Sequence, residues 1–274
     1  MKFDNTQANP FNWVGSKFRY LADFMEVLPK EDNMKVLDCF LGGGDLISKL
    51  PKDWEVTAID IMPQLVEMHV AIQEGKLTPD AIMREFIKRQ LSKDNEQGYL
   101  QLREEYNTLN TPQGLYLLMT NSFNNQLRFN RNGGFNMPFG KNRSSFNPRM
   151  QAKLSNYIKA LGERRVFFKC GSYTEEVFNE YDLLLVDPPY LNTTATYNEQ
   201  GGWGAREDED LLLRLDNYSG KFVYFNQLIS KGVENTKLLE WASKYNTKIL
   251  KDTTKTCNHQ RKGGTTVEVM ITNY

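Results

Sequence analysis

At 274 residues the chain is long enough to bury a full core, as one large domain with an elaboration or as two domains, and its 34 Lys and Arg match its 34 Asp and Glu, so any anion-binding site has to come from local charge asymmetry. Three cysteines without paired spacing and the two histidines, His69 and His259, argue against a disulfide framework and against a zinc site. No apolar run reaches membrane-spanning length and Asp4, Asn5 and Gln7 stand where a signal peptide would be apolar, so the expected location is the cytoplasm, with no membrane, no metal and no obligate protein partner indicated.

In chain order, Pro10-Phe11-Asn12-Trp13-Val14-Gly15-Ser16-Lys17 is polar, aromatic and glycine-bearing, and precedes a predicted helix over 18–28. It reads either as a cover over a ligand or as a loop whose Trp13 plugs the core. A buried strand is predicted over 35–40, a glycine turn over 41–44, the start of a short helix over 45–50, and a second strand over 54–60 that ends in Asp60, together a βαβ unit. Residues 64–118 turn helical, with Leu65, Met68, His69 and Ile72 at helical spacing. A hairpin follows, with Asn132-Gly133-Gly134 as the turn between 126–130 and 135–137. Strand-like runs return over 166–169, 181–186, 221–225, 247–250 and 268–271. The predicted fold is a doubly wound, seven-stranded α/β sheet with a helical and hairpin insert, divided as 1–62 and 165–274 for the sheet domain and 63–164 for the insert.

The chemistry concentrates at Asp187-Pro188-Pro189-Tyr190, directly after the apolar run ending in Val186. Ligands of open α/β sheets bind at the carboxyl ends of strands, and two prolines both stop the strand and stiffen the turn. A carboxylate and a proline-fixed carbonyl can accept hydrogens from an exocyclic amine, while a tyrosine ring can stack on the base that carries it. Gly42-Gly43-Gly44 lets the backbone approach a ligand, and Asp60 can accept ribose hydroxyls. The spacing is not GxGxxG and no Walker lysine follows, which favours a nucleoside with little or no phosphate and disfavours a NAD-type dehydrogenase. Between Tyr106 and Gly162 no acidic residue occurs, while Arg128, Arg131, Lys141, Arg143, Arg149, Lys153, Lys159, Arg164, Arg165 and Lys169 stand against Glu163 alone. Asn121, Asn124, Asn125, Gln126, Asn130, Asn136 and Asn142 are interleaved with that charge, a composition that suits phosphate contacts and base edges; a solvated basic face is the plainer alternative.

Three blocks, Pro10 to Lys17, Leu37 to Gly44 and Asp187 to Tyr190, together resemble the DNA adenine-N6 methyltransferases of the Dam type, especially the short phage-type enzymes. Leu127-Arg128-Phe129-Asn130 and Phe135-Asn136-Met137-Pro138-Phe139-Gly140 are similar to the family's recognition segments. The resemblance implies S-adenosylmethionine as methyl donor, with Trp13, Lys17, Asp38, Phe40, Gly42, Asp60, Ser172, Tyr173 and Asp187 around it. It implies duplex DNA as partner, contacted by Asn124, Gln126, Arg128, Asn130, Pro138, Lys141 and Arg143, and a flipped adenine methylated over Asp187, Pro188, Pro189 and Tyr190. GATC is the implied site. Lys141-Asn142-Arg143 departs from the arginine, or Arg-Tyr-Lys, that often follows the family's Pro-Phe-Gly, and Gln126 from a commonly apolar residue, so another short site is the alternative. Amino groups of RNA or protein remain further alternatives for the tetrapeptide.

Overall fold

Strands covered on both faces lose the polar alternation of surface strands. Leu183–Val186 (β4) is accordingly buried at all four positions, and Lys35–Asp38 (β1) at its last three. Around them lie Glu55–Asp60 (β2), Arg165–Cys170 (β3), Lys221–Ser230 (β5), Val233–Glu234 (β6), Asn246–Asp252 (β7) and Val267–Thr272 (β8). The computed structural model describes residues 3–11, 13, 15–130, 132–142, 145–191, 203–253 and 264–274.

The sheet order is β3-β2-β1-β4-β5-β8-β7, with β6 hairpinned onto β5. β3, β2, β1, β4 and β5 are parallel, whereas β8 runs against both β5 and β7. This is the expected doubly wound, seven-stranded sheet, with the two-residue β6 in addition. Chain order reverses between β1 and β4, which opens a crevice at the carboxyl ends of those strands. Successive side chains of one strand go to opposite faces. Val36, Leu183, Leu185 and Val223 meet one apolar cluster, and Leu37, Leu184, Val186 and Phe222 the other.

Helices Leu21–Val27 (α1), Pro63–Gln73 (α2) and Pro148–Gly162 (α6) supply the first face. The same cluster continues into Pro79–Lys88 (α3), Glu96–Leu109 (α4), Pro112–Asn121 (α5) and the hairpin. Ala205–Asp216 (α7) and Thr236–Ala242 (α8) cover the second face, where Trp241 stacks on Phe222 at 5.8 Å. The helix starts follow local chemistry: Pro stands in the first turn of α2, α3, α5 and α6, and Thr78, Asn95, Thr111 and Asn147 cap α3, α4, α5 and α6.

Four expectations need correction. The helix expected over 18–28 breaks at Tyr20 (φ −106°, ψ 8°) into a 3-10 turn, Phe18–Tyr20, and α1. The helix expected over 45–50 is a single 3-10 turn, Ile47–Lys49. The hairpin is real as a path but not as two strands: isolated antiparallel bridges join Ser122 to Phe139 and Phe129 to Phe135. The bonds from Asn130 N to Gly134 O at 2.8 Å and from Asn136 N to Arg128 O at 3.1 Å flank the Phe129–Phe135 bridge, and Asn107 takes the groups of Phe135 that face away from it, accepting from Phe135 N at 2.7 Å and donating to Phe135 O at 3.2 Å. Strand β5 also runs on to Ser230, past the apolar stretch that predicts it.

Candidate active site

The parallel strands deliver Cys170, Asp60, Asp38 and Val186 to one edge in spatial order, so Ser172 and Tyr173, Asp60, Asp38 and Asp187 line one crevice although they are far apart in sequence. Asp60 accepts from Gly42 N and Met62 N, each at 3.0 Å. Asp38 accepts from Phe40 N at 3.2 Å and is 2% exposed. Burial pushes the Asp38 carboxyl up to about 7, with the Asp187 and Asp60 carboxylates adding to the rise; burial also raises Asp60. Cys39, beside them, has its thiol pushed well up by burial, unlike a nucleophile.

The glycine turn is crowded by the chain itself. A Cβ on Gly42 (φ +48°) would come within 2.8 Å of Trp13 Nε1, one on Gly43 within 2.6 Å of Asn9, and one on Gly44 (φ +75°) within 2.2 Å of the Tyr157 hydroxyl. Trp13 therefore lies over the turn. Asp45 holds the segment down, accepting from Asn9 N and Nδ2 at 2.8 Å each and from Ser16 Oγ at 2.5 Å. Beneath the turn, His69 Nε2 donates to Gly42 O at 2.9 Å, and its Nδ1 accepts from the Tyr157 hydroxyl at 2.9 Å. Burial pulls His69 down to about 4, so this neutral tautomer persists at physiological pH.

Across the crevice, Lys17 Nζ lies 2.7 Å from Asp187 Oδ2 and donates to Gly15 O at 2.8 Å, with the Lys17 side chain 4% exposed. Burial pushes the Asp187 carboxyl up and Lys17 pulls it back. Lys17 Nζ also lies 5.2 Å from the Tyr190 ring centroid. Pro188 is buried and Pro189 half-buried. Phe40, Tyr173 and Trp203 form an aromatic cluster, with centroids 5.4 to 5.8 Å apart, at the other end of the crevice. Ser172 accepts from Thr174 N at 3.2 Å and so shapes the turn before Tyr173. The sequence reasoning missed Asn9, Asp45, Tyr157, Trp203 and Glu268. A lone histidine within an apolar helical stripe was the available signal for His69.

In the hairpin segment expected to contact DNA the apolar residues Leu127, Phe129, Phe135, Met137 and Phe139 are buried, while Asn130 and Pro138 are exposed and Gln126, Arg128 and Asn136 half-buried. Asn124 is exposed in a left-handed conformation (φ 55°), and Lys141 is exposed in the next turn. Arg128 Nε donates to Asn136 Oδ1 at 2.8 Å and Nη2 to Asn136 O at 3.0 Å. Asn130 Oδ1 accepts from Asn132 N and Gly134 N, 2.9 Å each, so the side chain braces the hairpin turn. Arg143 and Arg131 lie outside the described residues.

The basic run is only partly a surface. Arg164 donates to Leu50 O and Ala160 O, Arg165 to Asp53 O, Lys169 pairs with Glu176, and Lys153 is buried. Among the described residues no group of three His, Cys, Asp or Glu side chains could hold a metal, and no helix is long and apolar enough to cross a membrane.

With this geometry in place, the chain belongs to the D12 class of N6 adenine-specific DNA methyltransferases, whose family model matches residues 13–256. S-adenosylmethionine is the methyl donor of that class. The type II methyltransferase M.FokI of Planomicrobium okeanokoites is 36% identical over 97% of this chain and 43% of its own length. The modification methylase StsI of Streptococcus sanguinis is 31% identical over 97% of this chain and 43% of that protein, and a DNA adenine methylase of Vibrio cholerae 28% identical over 73% and 72%. The chain thus spans less than half the length of the first two. The rRNA methyltransferase aviRa from Streptomyces viridochromogenes aligns with a TM-score of 0.37 and 16% identity, over 92% of this chain and 82% of its own; strand order and family membership, not this likeness, define the fold.

Proposed function

We propose that this chain transfers a methyl group from S-adenosylmethionine to adenine N6 in duplex DNA at a short specific site. The observation that carries the reading is Asp187, held by Lys17 at the carboxyl end of β4 between Tyr190 and the Asp38–Asp60 crevice. The donor set fits the cofactor: carboxylates suit a cationic sulfonium and an ammonium, Asp60 suits ribose hydroxyls, and the Phe40 side of the crevice suits a purine ring. Trp13, Lys17, Asp38, Phe40, Gly42, Asp60, Ser172 and Tyr173 would hold it, and when bound it supplies an electrophilic methyl carbon.

The N6 lone pair of adenine is delocalised into its ring and is a poor nucleophile in the plane. Asp187 and the Pro188 carbonyl accept the two amine hydrogens of a flipped base, so that the lone pair is turned toward the methyl group. Tyr190 stacks on the base. Lys17 offsets part of the cost of burying the Asp187 carboxylate, and its carboxylate form is placed to take the proton that N6 must lose. No covalent enzyme intermediate is required. The exposed Lys141 and Asn130 would hold phosphates and read base edges. The insert, residues 63–164, is read as the recognition unit, and GATC is the first site to test.

The test is incubation of duplex DNA with methyl-labelled S-adenosylmethionine followed by nucleoside analysis. N6-methyladenine confined to one site, and lost in Asp187→Asn, is the expected result. Label in cytosine, in RNA or in protein instead of DNA adenine would overturn the reading.

A further inference from the structure

The crevice holds a fourth carboxylate that belongs neither to the tetrapeptide nor to the glycine turn. Glu268 is the second residue of β8, pairs with Gln227 of β5, and is half-buried. A strand that runs against its parallel neighbours begins where they end, so Glu268 reaches the edge that carries Asp187. Its Oε1 accepts from the Tyr190 hydroxyl at 3.2 Å and its Oε2 from the Tyr20 hydroxyl at 2.8 Å. The Tyr190 hydroxyl is also 3.4 Å from Asp187 Oδ1. One phenol proton therefore lies between two carboxylates, nearer to Glu268.

Tyr20 follows Lys17 by three residues in a 3-10 turn, where side chains at that spacing lie in one line, and Tyr20 N donates to Lys17 O at 2.9 Å. The same turn thus grips Asp187 through Lys17 and Glu268 through Tyr20.

We infer that Glu268 is a positioning residue: by taking the Tyr190 hydroxyl it fixes the stacking ring and keeps Asp187 Oδ1 available for the amine hydrogens. The inference rests on the reading of Asp187 as the acceptor for the adenine amine. Without Glu268, Asp187 Oδ1 becomes the nearest described acceptor for the phenol proton, and one of the two oxygens needed by the substrate is occupied.

The experiment compares Glu268→Leu and Glu268→Gln, each alone and combined with Tyr190→Phe, in steady-state methylation of duplex DNA and in melting. Glutamine can accept from Tyr190 and donate to Tyr20, so its kcat should stay within about threefold of the parent, whereas leucine should lower kcat roughly ten- to a hundredfold with little change in the KM for DNA. In the Tyr190→Phe background there is no hydroxyl to misdirect, and leucine should lower kcat by less than about threefold. An equal loss from leucine in both backgrounds assigns Glu268 a merely structural role and overturns the inference, as does an unchanged kcat in Glu268→Leu. If the parent methylates no adenine, the functional reading fails instead. The contact is then judged by the Cζ resonance of 13C-labelled tyrosine, assigned with Tyr190→Phe. Movement of the Tyr190 signal in Glu268→Leu but not in Glu268→Gln supports the contact, and no movement in either overturns it.

Discussion

Asp38 offers a stability measurement whose sign is set by the crevice. Its carboxyl is almost fully buried, its described hydrogen bond comes from Phe40 N, and burial moves it from the ordinary 3.8 to about 7. A carboxyl raised in the folded state binds more protons there than in the unfolded chain between those two values, so its contribution to stability is lost as pH rises through that window. Three units at 1.36 kcal/mol each set a ceiling of about 4 kcal/mol at pH 8, and relaxation around the ion brings the expected effect to about 2 kcal/mol. Asp38→Asn keeps the acceptor for Phe40 N and removes the charge. Without cofactor its Tm at pH 8 should rise by about 4–8 °C, while at pH 5, where the native carboxyl is already protonated, the difference should nearly vanish. His69, held neutral down to about 4, acts in the opposite sense at low pH, so the difference between variant and parent, not the parent curve, isolates Asp38. The same variant should bind S-adenosylmethionine more weakly by calorimetry, because a negative charge facing a cationic ligand is gone. A lower Tm at pH 8, or a pH-independent difference, would refute the reasoning.

Gly44→Ala combines a left-handed φ of +75° with a Cβ placed 2.2 Å from the Tyr157 hydroxyl; we expect a loss of about 2 kcal/mol or more in chemical denaturation and weaker cofactor binding, and a neutral result would show that the turn relaxes freely. Lys141→Ala should weaken binding to all duplexes alike and flatten the salt dependence by about one unit of slope, measured by fluorescence anisotropy across a salt series. Arg128→Ala should relax discrimination at one base pair by about 1–3 kcal/mol if the guanidinium exchanges Asn136 for guanine on binding; an equal loss for every sequence would make it a positioning residue. Because burial raises the Asp187 carboxyl, kcat should fall on acidification at a pH above the ordinary carboxylate range, and Lys17→Met should move that fall higher still; a fall at the usual carboxylate pH would argue that the crevice is wet.

The parts legible in sequence were those encoded by short-range pattern. The run before Asp187 is apolar throughout because β4 is covered on both faces, and Asp60 ends β2 as expected, whereas β1 stops at Asp38, two residues before the expected end of the strand that leads to the glycine turn. The hairpin path and its Asn-Gly-Gly turn were legible, but that the two arms share a single bridge at Phe129 and Phe135, with Asn107 taking the groups of Phe135 that face away from it, was not. What escaped depends on three-dimensional approach. A count of positive charge does not tell that Arg164 caps carbonyls or that Lys169 meets Glu176. Glu268 looks like any polar residue of a strand until the reversal of β8 brings it beside Tyr190.

The segment from Phe3 to Tyr20 is tied down by partners remote in the chain: the Tyr20–Glu268 bond spans 248 residues, the bond from Asn156 to Thr6 O spans 150, and that from Tyr116 to Pro10 O spans 106. Contacts of such long sequence separation are expected to form only once the sheet that offers the partners exists. Opening of this strap would release Lys17 from Asp187 and Trp13 from the glycine turn while leaving β1 to β5 paired; activity is then expected to be lost at a lower temperature than the fold, and amide exchange in residues 16–20 should track that loss.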